Sequence, residues 1–126
     1  MKKFWIFFSL TWAALIIYSS FFNSENIDEG ISWFQNQDKV VHFVFCAIFS
    51  WCLIKSFSQE IFLKRPILKG MALAYIFGVG IELGQHFFTT DRDGNFMDVL
   101  ANGMGSILIL ILIYTYPKLL LLNPKI

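Results

Sequence analysis

"LKGMALAYIFGVGIELGQHFF", residues 68–88, is the stretch that decides the fold, and Glu82 is its only acidic residue. An α-helix of about 20 apolar residues is long enough to cross the hydrocarbon core of a bilayer. Pro66 precedes the stretch and is a typical place for one helix to stop and another to start. We therefore predict that residues 68–88 form a transmembrane helix.

Three other apolar runs accompany this one, at residues 4–22, 39–56 and 97–116, and Pro117 follows the last of them. Of the 126 residues, 56% are hydrophobic and only 15% are charged, which is too apolar for a small soluble domain. The first run is longer than a usual signal-peptide core and lacks a small-x-small cleavage site, so we interpret it as a retained helix. The prediction is an all-α, polytopic membrane protein whose single domain, residues 1–126, is a four-transmembrane-helix bundle.

The charged residues are divided unequally between the two ends of the predicted helices. Eight of the ten basic residues lie in the amino-terminal segment, the linker from Lys55 to Lys69 and the carboxyl-terminal segment, where Glu60 is the only acidic residue. The other end holds Lys39 and Arg92 together with eight of the nine acidic residues. Because lysine and arginine are retained on the cytoplasmic side of a membrane, we predict cytoplasmic termini and extracytoplasmic acidic loops.

Polar residues gather where the outer ends of the second, third and fourth helices are predicted. Asp38 and His42 are four residues apart, as are Asp98 and Asn102, so each pair shares a helix face and a carboxylate can orient the imidazole. All the polar groups are expected at one level of the membrane, where they predict a polar pocket near the outer surface. The candidate pocket residues are Asp38, Lys39, His42, Glu82, Gln85, Arg92, Asp98 and Asn102.

Glu82 is expected about 9 Å inside the end of its helix, because it lies some six residues before Phe88 and a helix rises about 1.5 Å per residue. A carboxylate at this depth is costly unless it is paired or faces water. Arg92 is the first-choice partner because a guanidinium can hold a carboxylate through two hydrogen bonds. Lys39 and His42 are the alternative partners.

Several of these residues also have structural interpretations. Asp98 and Asp93 are equally suited to cap the fourth helix, and capping does not exclude binding. His42 is balanced between a functional and a purely structural pairing. His86 stands beside two phenylalanines and is better explained as an interfacial histidine than as a ligand.

Two cysteines and two glycines are predicted to pack between helices. Cys46 and Cys52 lie in one helix and face away from each other, so we interpret them as buried packing residues and not as a disulfide. Gly80 and Gly84 are four residues apart, a spacing that lets two helix backbones approach closely in lipid. The spacing therefore permits tight helix contacts along this part of the third helix, either within the chain or between chains.

Two motifs carry a resemblance to a known family. The first is DKVVHF, residues 38–43, which is similar to an Asp-Lys-x-x-His entry into a second helix. The second is ELGQ, residues 82–85, followed by Arg92, Asp98, Asn102 and Gly105. In order and spacing these motifs resemble the VanZ-like family of small bacterial membrane proteins, named for a member linked to resistance against teicoplanin. The resemblance covers most of the chain from Asp38 to Gly105, and Cys46 departs from it at a position where an aromatic residue is common.

The resemblance implies a multi-pass protein of the bacterial cytoplasmic (inner) membrane with a role in the cell envelope. In some relatives it also implies reduced sensitivity to glycopeptides, but it supplies no mechanism. The leading hypothesis is a non-catalytic or accessory protein whose outer pocket binds membrane lipids, in particular the polar head of a cell-wall precursor lipid. Arg92 and Lys39 would meet phosphate or carboxylate, and the acidic residues would meet amines or hydroxyls.

Two other classes of function are compatible with these residues. One is an intramembrane enzyme acting on a lipid, with Glu82 or Asp98 as general base and His42 as proton shuttle. A metal held by His42, His86 and carboxylates would suit it, but two histidines on separate helices support zinc only weakly, so no metal or other cofactor is predicted. The other class is a structural or proton-coupled subunit with Glu82, Arg92 and Asp98 as a buried ion-pair network. Nucleic-acid binding has no support, and the oligomeric state is not defined by the sequence.

Overall fold

The computed structural model of this chain describes residues 2–21, 37–59, 64–88 and 96–116. The regular structure in these residues is α-helical throughout. The described helices are α1 (Lys2–Phe21), α2 (Gln37–Ser58), α3 (Pro66–Phe88) and α4 (Phe96–Thr115). Each coincides with one predicted apolar run to within a few residues, so the all-α prediction is confirmed for the described part of the chain.

α3 starts where the sequence predicts a helix boundary. Pro66 is its first residue, a position at which the missing N–H of proline costs no helical hydrogen bond. Arg65 stands just before it with a φ of 57°, and its carbonyl oxygen accepts a hydrogen bond of 3.1 Å from the Lys69 N–H. At the far end of the chain α4 ends at Thr115, and the predicted helix stop, Pro117, lies outside the described residues.

α2 lies at the centre and contacts each of the other three described helices. Ser9, near the start of α1, shares a hydrogen bond of 3.3 Å with Ser56, near the end of α2, so these helices run in opposite directions. Apolar clusters form on both sides of α2, one with α1 and α3 and the other with α3 and α4. Their buried members are Ile16, Cys46, Phe49, Leu53, Ala74 and Ile81 in the first cluster and Ala47, Ile54, Ile67, Ile109 and Ile113 in the second.

Two glycines bring neighbouring backbones into direct contact with α2. A Cβ added to Gly105, in the first half of α4, would clash with the carbonyl oxygen of Phe43 and lie 3.1 Å from the Ala47 nitrogen. A Cβ added to Gly70, near the start of α3, would lie 2.9 Å from the backbone nitrogen of Ile54 near the end of α2. Backbones approach this closely only where a side chain is absent. These contacts also show that α4 runs parallel to α2 and α3 antiparallel to it.

The predicted contact glycines, Gly80 and Gly84, do not make such contacts. A Cβ at Gly80 would have no neighbour within 4 Å among the described residues, so the predicted close contact is not made there within this chain. A Cβ at Gly84 would meet a ring carbon of Phe21 at 2.8 Å, which is a side-chain and not a backbone contact. The spacing of four residues is present, but it does not lie on the face of α3 that meets α2.

Large apolar side chains cover much of the outer surface. Phe7, Ile76 and Phe96 are 70%, 65% and 73% exposed, and similar residues surround them on each helix. An apolar surface of this extent is typical of proteins covered by lipid. The segments long and apolar enough to cross a membrane are Lys39–Ser58, Pro66–Phe87 and Phe96–Thr115, and α1 contributes a shorter apolar segment, Lys3–Ser19. Three of the described helices thus have the character of membrane spans and indicate a membrane protein.

Candidate functional site

Three ionisable side chains from three helices meet near one end of the described structure. His42 lies in the second turn of α2, Glu82 in the second half of α3 and Asp98 in the first turn of α4. The Nε2 atom of His42 is 3.4 Å from Oε1 of Glu82 and 3.8 Å from Oδ2 of Asp98. Both carboxylates are buried, and the imidazole is 16% exposed. We refer to these three residues as the carboxylate–histidine cluster.

The directions of the helices explain how the sequence places these groups at one level. α2 and α4 both begin at this end of the structure, whereas α3 ends here. His42 and Asp98 are therefore close to helix starts, and Glu82 is close to a helix end. Asp98 also lies in the first turn of α4, where the positive end of the helix dipole favours a carboxylate. It can stabilise the start of α4 and belong to the cluster at once.

The charge of the three residues taken together depends on the protonation of the imidazole. Repulsion between carboxylates and their removal from water both disfavour two negative charges in this position. A neutral imidazole does not offset them, whereas an imidazolium, a shared proton or a bound cation does. The cluster is therefore suited to cations and to hydrogen-bond donors.

A line of small polar side chains continues from the cluster into the contact between α2 and α4. Asn102 and Ser106 follow Asp98 at four-residue intervals on one face of α4, and all three are buried. The Ser106 hydroxyl shares a hydrogen bond of 2.8 Å with Ser50 and lies 3.3 Å from Sγ of Cys46. These contacts fix the rotation of α4 against α2 and hence the position of Asp98.

Asn102 has an unused hydrogen-bond donor beside the cluster. The residue is 3% exposed, and its Nδ2 has no hydrogen-bond partner among the described residues. The amide lies over Gly78, where an added Cβ would be 2.8 Å from Nδ2. His42, Gly78 and Asn102 line a small cavity, otherwise walled by apolar side chains, with room for about one water molecule. A buried N–H without a partner is costly, so this cavity favours a hydrogen-bond acceptor.

Other predicted pocket residues lie about one helical turn from the cluster. Gln85 is buried one turn beyond Glu82, and Lys39 is half-buried one turn before His42. His86 is exposed, and its ring makes an edge contact with the ring of the following residue at a centroid distance of 5.1 Å. The second histidine of the chain therefore takes no part in the cluster.

Some predicted positions fall beyond the part of the chain that the structure describes. Arg92, Asp93 and the side chain of Asp38 lie outside the described residues. The pairing of Glu82 with Arg92 therefore stays a prediction. Among the alternative partners, His42 is one that the structure places beside Glu82.

The polar line below the cluster lies outside the set of predicted pocket residues, apart from Asn102. His42, Cys46 and Ser50 recur every four residues along α2, as Asp98, Asn102 and Ser106 do along α4. Residues at this spacing share a helix face. The presence of one polar face on α2 and one on α4 could therefore have predicted that these two helices pack together. The prediction that Cys46 and Cys52 are buried and do not form a disulfide is confirmed, because both are buried free thiols.

No protein-family model, curated protein or solved structure matches this chain. The fold and the carboxylate–histidine cluster are therefore the observations from which its function is inferred.

Proposed function

We propose that this chain is a VanZ-like integral protein of the bacterial cytoplasmic membrane whose carboxylate–histidine cluster binds the polar head group of a membrane lipid. The head of a cell-wall precursor lipid is the leading candidate ligand. In this proposal all four helices cross the membrane as one bundle, both termini are cytoplasmic, and the cluster lies near the outer surface. The observation that carries the proposal is the convergence of His42, Glu82 and Asp98 from three separate helices.

The distribution of charge over the described residues supports this orientation. The basic residues at the ends of the helices away from the cluster are Lys3, Lys55, Lys64, Arg65 and Lys69. Both carboxylates of the cluster lie at the opposite end. Because basic residues mark the cytoplasmic side, the cluster is assigned to the outer side.

The chemistry of the cluster favours a ligand with hydrogen-bond donors. Carboxylates accept hydrogen bonds from hydroxyl and amine groups, which are common in sugar, peptide and amino-phospholipid heads. The Nδ2 of Asn102 adds a donor for an oxygen of the same ligand. The partial exposure of His42 leaves the cluster open at one side, and the apolar outer faces of the helices can accommodate the lipid tail.

A purely structural role for the cluster is the alternative that the experiment must exclude. The separations at His42 are 3.4 and 3.8 Å, which is longer than the roughly 2.7–2.9 Å of charge-assisted N–H···O hydrogen bonds. The contacts of Gly105 and Ser106 with α2 hold α4 in place independently of these separations. A network of Glu82 and Asp98 with Arg92 stays a prediction, because Arg92 lies outside the described residues.

An intramembrane enzyme acting on a lipid is the second candidate. The observation that favours it is the 3.4 Å separation between His42 and Glu82, since a carboxylate beside an imidazole can orient it for proton transfer. Chemical turnover of a lipid by the purified protein, lost in His42→Gln, would identify an enzyme. A lipid that is retained unchanged identifies a binding protein.

The test of lipid binding is mass spectrometry of the protein extracted from membranes together with its surrounding lipid. We expect Glu82→Gln to lower the amount of a specific co-purified lipid at least about tenfold, because hydrogen bonds to charged groups are worth about 1.5–3 kcal/mol. His86→Gln, an exposed position one turn away on the same helix, is the matched control and should retain the lipid.

Two results would contradict this proposal. The first is an equal amount of lipid on the wild-type protein and on folded Glu82→Gln. The second is failure of both Glu82→Gln and Asp98→Asn to accumulate in the membrane, which would favour the structural role.

A further inference from the structure

The carboxylate–histidine cluster offers three potential protein ligands for a metal ion. The Nε2 of His42 and one carboxylate oxygen each of Glu82 and Asp98 all lie within 4.8 Å of one another. Because the three groups come from three different helices, they converge on one volume and do not lie in a row.

The distances fit metal ligands better than they fit hydrogen bonds. Zinc binds histidine nitrogen and carboxylate oxygen at about 2.0–2.2 Å, so two ligands at the corners of a tetrahedron are about 3.3–3.6 Å apart. The separations of 3.4 and 3.8 Å from His42 to Glu82 and Asp98 lie close to this value. Direct charge-assisted hydrogen bonds would be shorter by about half an ångström or more.

Asn102 is an independent sign of a ligand in the cavity that His42 lines. Its side chain is 97% buried, being 3% exposed, and its Nδ2 has no hydrogen-bond partner among the described residues. It lines the same cavity as His42 and lies one turn after Asp98 on α4. An oxygen atom in this cavity would accept the Nδ2 hydrogen bond, and an oxygen bound to a metal is such an acceptor.

We propose that His42, Glu82 and Asp98 bind a divalent transition-metal ion, with zinc as the favoured ion. The fourth coordination position faces the cavity beside Asn102 and is filled by water or by an oxygen of a phosphate or carboxylate ligand. Three protein ligands with one open position are the arrangement of zinc sites that act on a ligand, whereas purely structural zinc sites use four protein ligands. The two carboxylates and the divalent ion together carry no net charge.

The ligand types distinguish zinc from the other common divalent ions. Magnesium and calcium prefer six or more oxygen ligands, and magnesium keeps several waters. The cavity has room for about one water molecule, and one of the three ligands is an imidazole nitrogen. Manganese and ferrous iron share this ligand chemistry with zinc and are the competing ions for the site.

A bound metal ion also changes which lipids the site can hold. Without a cation, two carboxylates repel a phosphate group. With a divalent ion the same residues attract phosphate or pyrophosphate, and Asn102 donates to a second oxygen. This part of the inference rests on the proposed lipid binding, whereas metal binding itself does not.

The experiment is a measurement of metal content and affinity on the full chain in detergent. The protein is loaded with zinc, freed of excess metal and analysed by elemental mass spectrometry, and its affinity is measured by competition with a chromophoric chelator. We expect about one zinc ion per wild-type chain, and at least about a 100-fold loss of affinity in His42→Gln. Where His42→Gln does not fold, Asp98→Asn serves as the second ligand variant.

Two control variants test whether zinc is bound by other histidine or cysteine side chains of the chain. His86→Gln removes the exposed histidine of α3. Cys46→Ser combined with Cys52→Ala removes both buried thiols that could bind zinc and keeps a hydrogen-bonding group beside Ser106. Both controls should bind zinc as the wild type does. Cobalt loaded in place of zinc should give the visible absorption of a tetrahedral nitrogen and oxygen site, and this absorption should vanish in His42→Gln.

Lipid retention is measured on the same samples with and without chelation, so that the two proposals fail separately. Zinc binding that depends on His42, without any retained lipid, supports the metal site and overturns the lipid-binding proposal. A lipid held equally by chelated protein, together with no zinc on the folded wild type, overturns the metal site alone. Zinc that stays in His42→Gln and Asp98→Asn, or that leaves with the cysteines, also overturns it.

Discussion

The two ends of α2 both bury ionisable side chains, but they stabilise them in different ways. Lys55, near the end of α2, is 5% exposed, and its Nζ lies 5.2 Å from the ring centroid of Trp5 and 5.8 Å from that of Trp51. Its charge is stabilised by two aromatic faces and by its place in the last turn of the helix, where the dipole favours cations. His42, near the start of α2, instead lies between two carboxylates from other helices.

The two ends of α2 therefore illustrate two uses of a buried charge. The charge of Lys55 joins two helices, whereas the charges of the carboxylate–histidine cluster are arranged so that they can bind a ligand. Among the described residues, the aromatic rings that face the Lys55 ammonium group belong to α1 and α2. The carboxylate–histidine cluster instead draws its two acidic groups and its imidazole from three helices. The first arrangement joins a helix pair, whereas the second brings together groups that can bind a cation.

The largest effect is expected from breaking the contact that supports the cluster end of α2. In Gly105→Ala the added Cβ would clash with the Phe43 carbonyl oxygen, which belongs to a helix backbone and cannot move aside. We expect a loss of about 3 kcal/mol in the free energy of unfolding, measured by denaturant titration in detergent. Gly80→Ala is the control, because its Cβ would have no neighbour within 4 Å among the described residues. The control substitution should leave the free energy of unfolding unchanged or raise it by up to about 1 kcal/mol. Equal losses in the two variants would show that the contact of Gly105 with the Phe43 carbonyl does not determine stability.

A smaller effect is expected at the other end of α2. Trp5→Leu removes one aromatic face from Lys55 and should cost about 1–2 kcal/mol in unfolding free energy. In a Lys55→Met background the same change should cost about 0.5–1 kcal/mol less, because no cation then remains to be stabilised. A double-mutant cycle measures this coupling. A coupling of zero would mean that the indole packs beside Lys55 without stabilising its charge.

The smallest effect is expected midway between the two ends. Ser50→Ala removes the 2.8 Å hydrogen bond to Ser106 and should cost about 0.5–1.5 kcal/mol, since such bonds between membrane helices are worth little more. The control is Thr115→Ala, where the exposed hydroxyl donates only to the carbonyl of Ile111 in its own helix. A cost at Ser50 no larger than at Thr115 would show that the α2–α4 contact depends on packing alone.

Much of the helical framework was predictable from the sequence, because a membrane span requires a long apolar run and few sequences offer one by chance. Pro66 marked the start of α3 for a direct steric reason. The four-residue spacing of Asp98 and Asn102 predicted that they share a face of α4, and both are buried. These successes rest on properties of single helices.

Relations between helices were harder to predict. A helix in lipid is apolar on its inner and outer faces alike, so the pattern of apolar residues does not show which glycines meet a neighbour. Gly80 was chosen by spacing, whereas Gly70 and Gly105 make the close backbone contacts.

The two histidines differ in their surroundings. The sequence favours an interfacial role for His86 over a ligand role, and its side chain is exposed, whereas Glu82 on the same helix is buried. The sequence left the pairing of His42 open because its neighbours come from other helices. In the metal site proposed above, the other two ligands are the carboxylates of Glu82 and Asp98.

The contact between α2 and α4 joins distant parts of the chain, as Ser50 and Ser106 are separated by 56 residues. During synthesis α2 leaves the ribosome well before α4, and membrane helices insert singly before they associate. Until α4 arrives, Glu82 has His42 beside it but not Asp98. The carboxylate–histidine cluster is therefore completed only when α4 packs against α2, and a nascent chain arrested before Phe96 would lack Asp98.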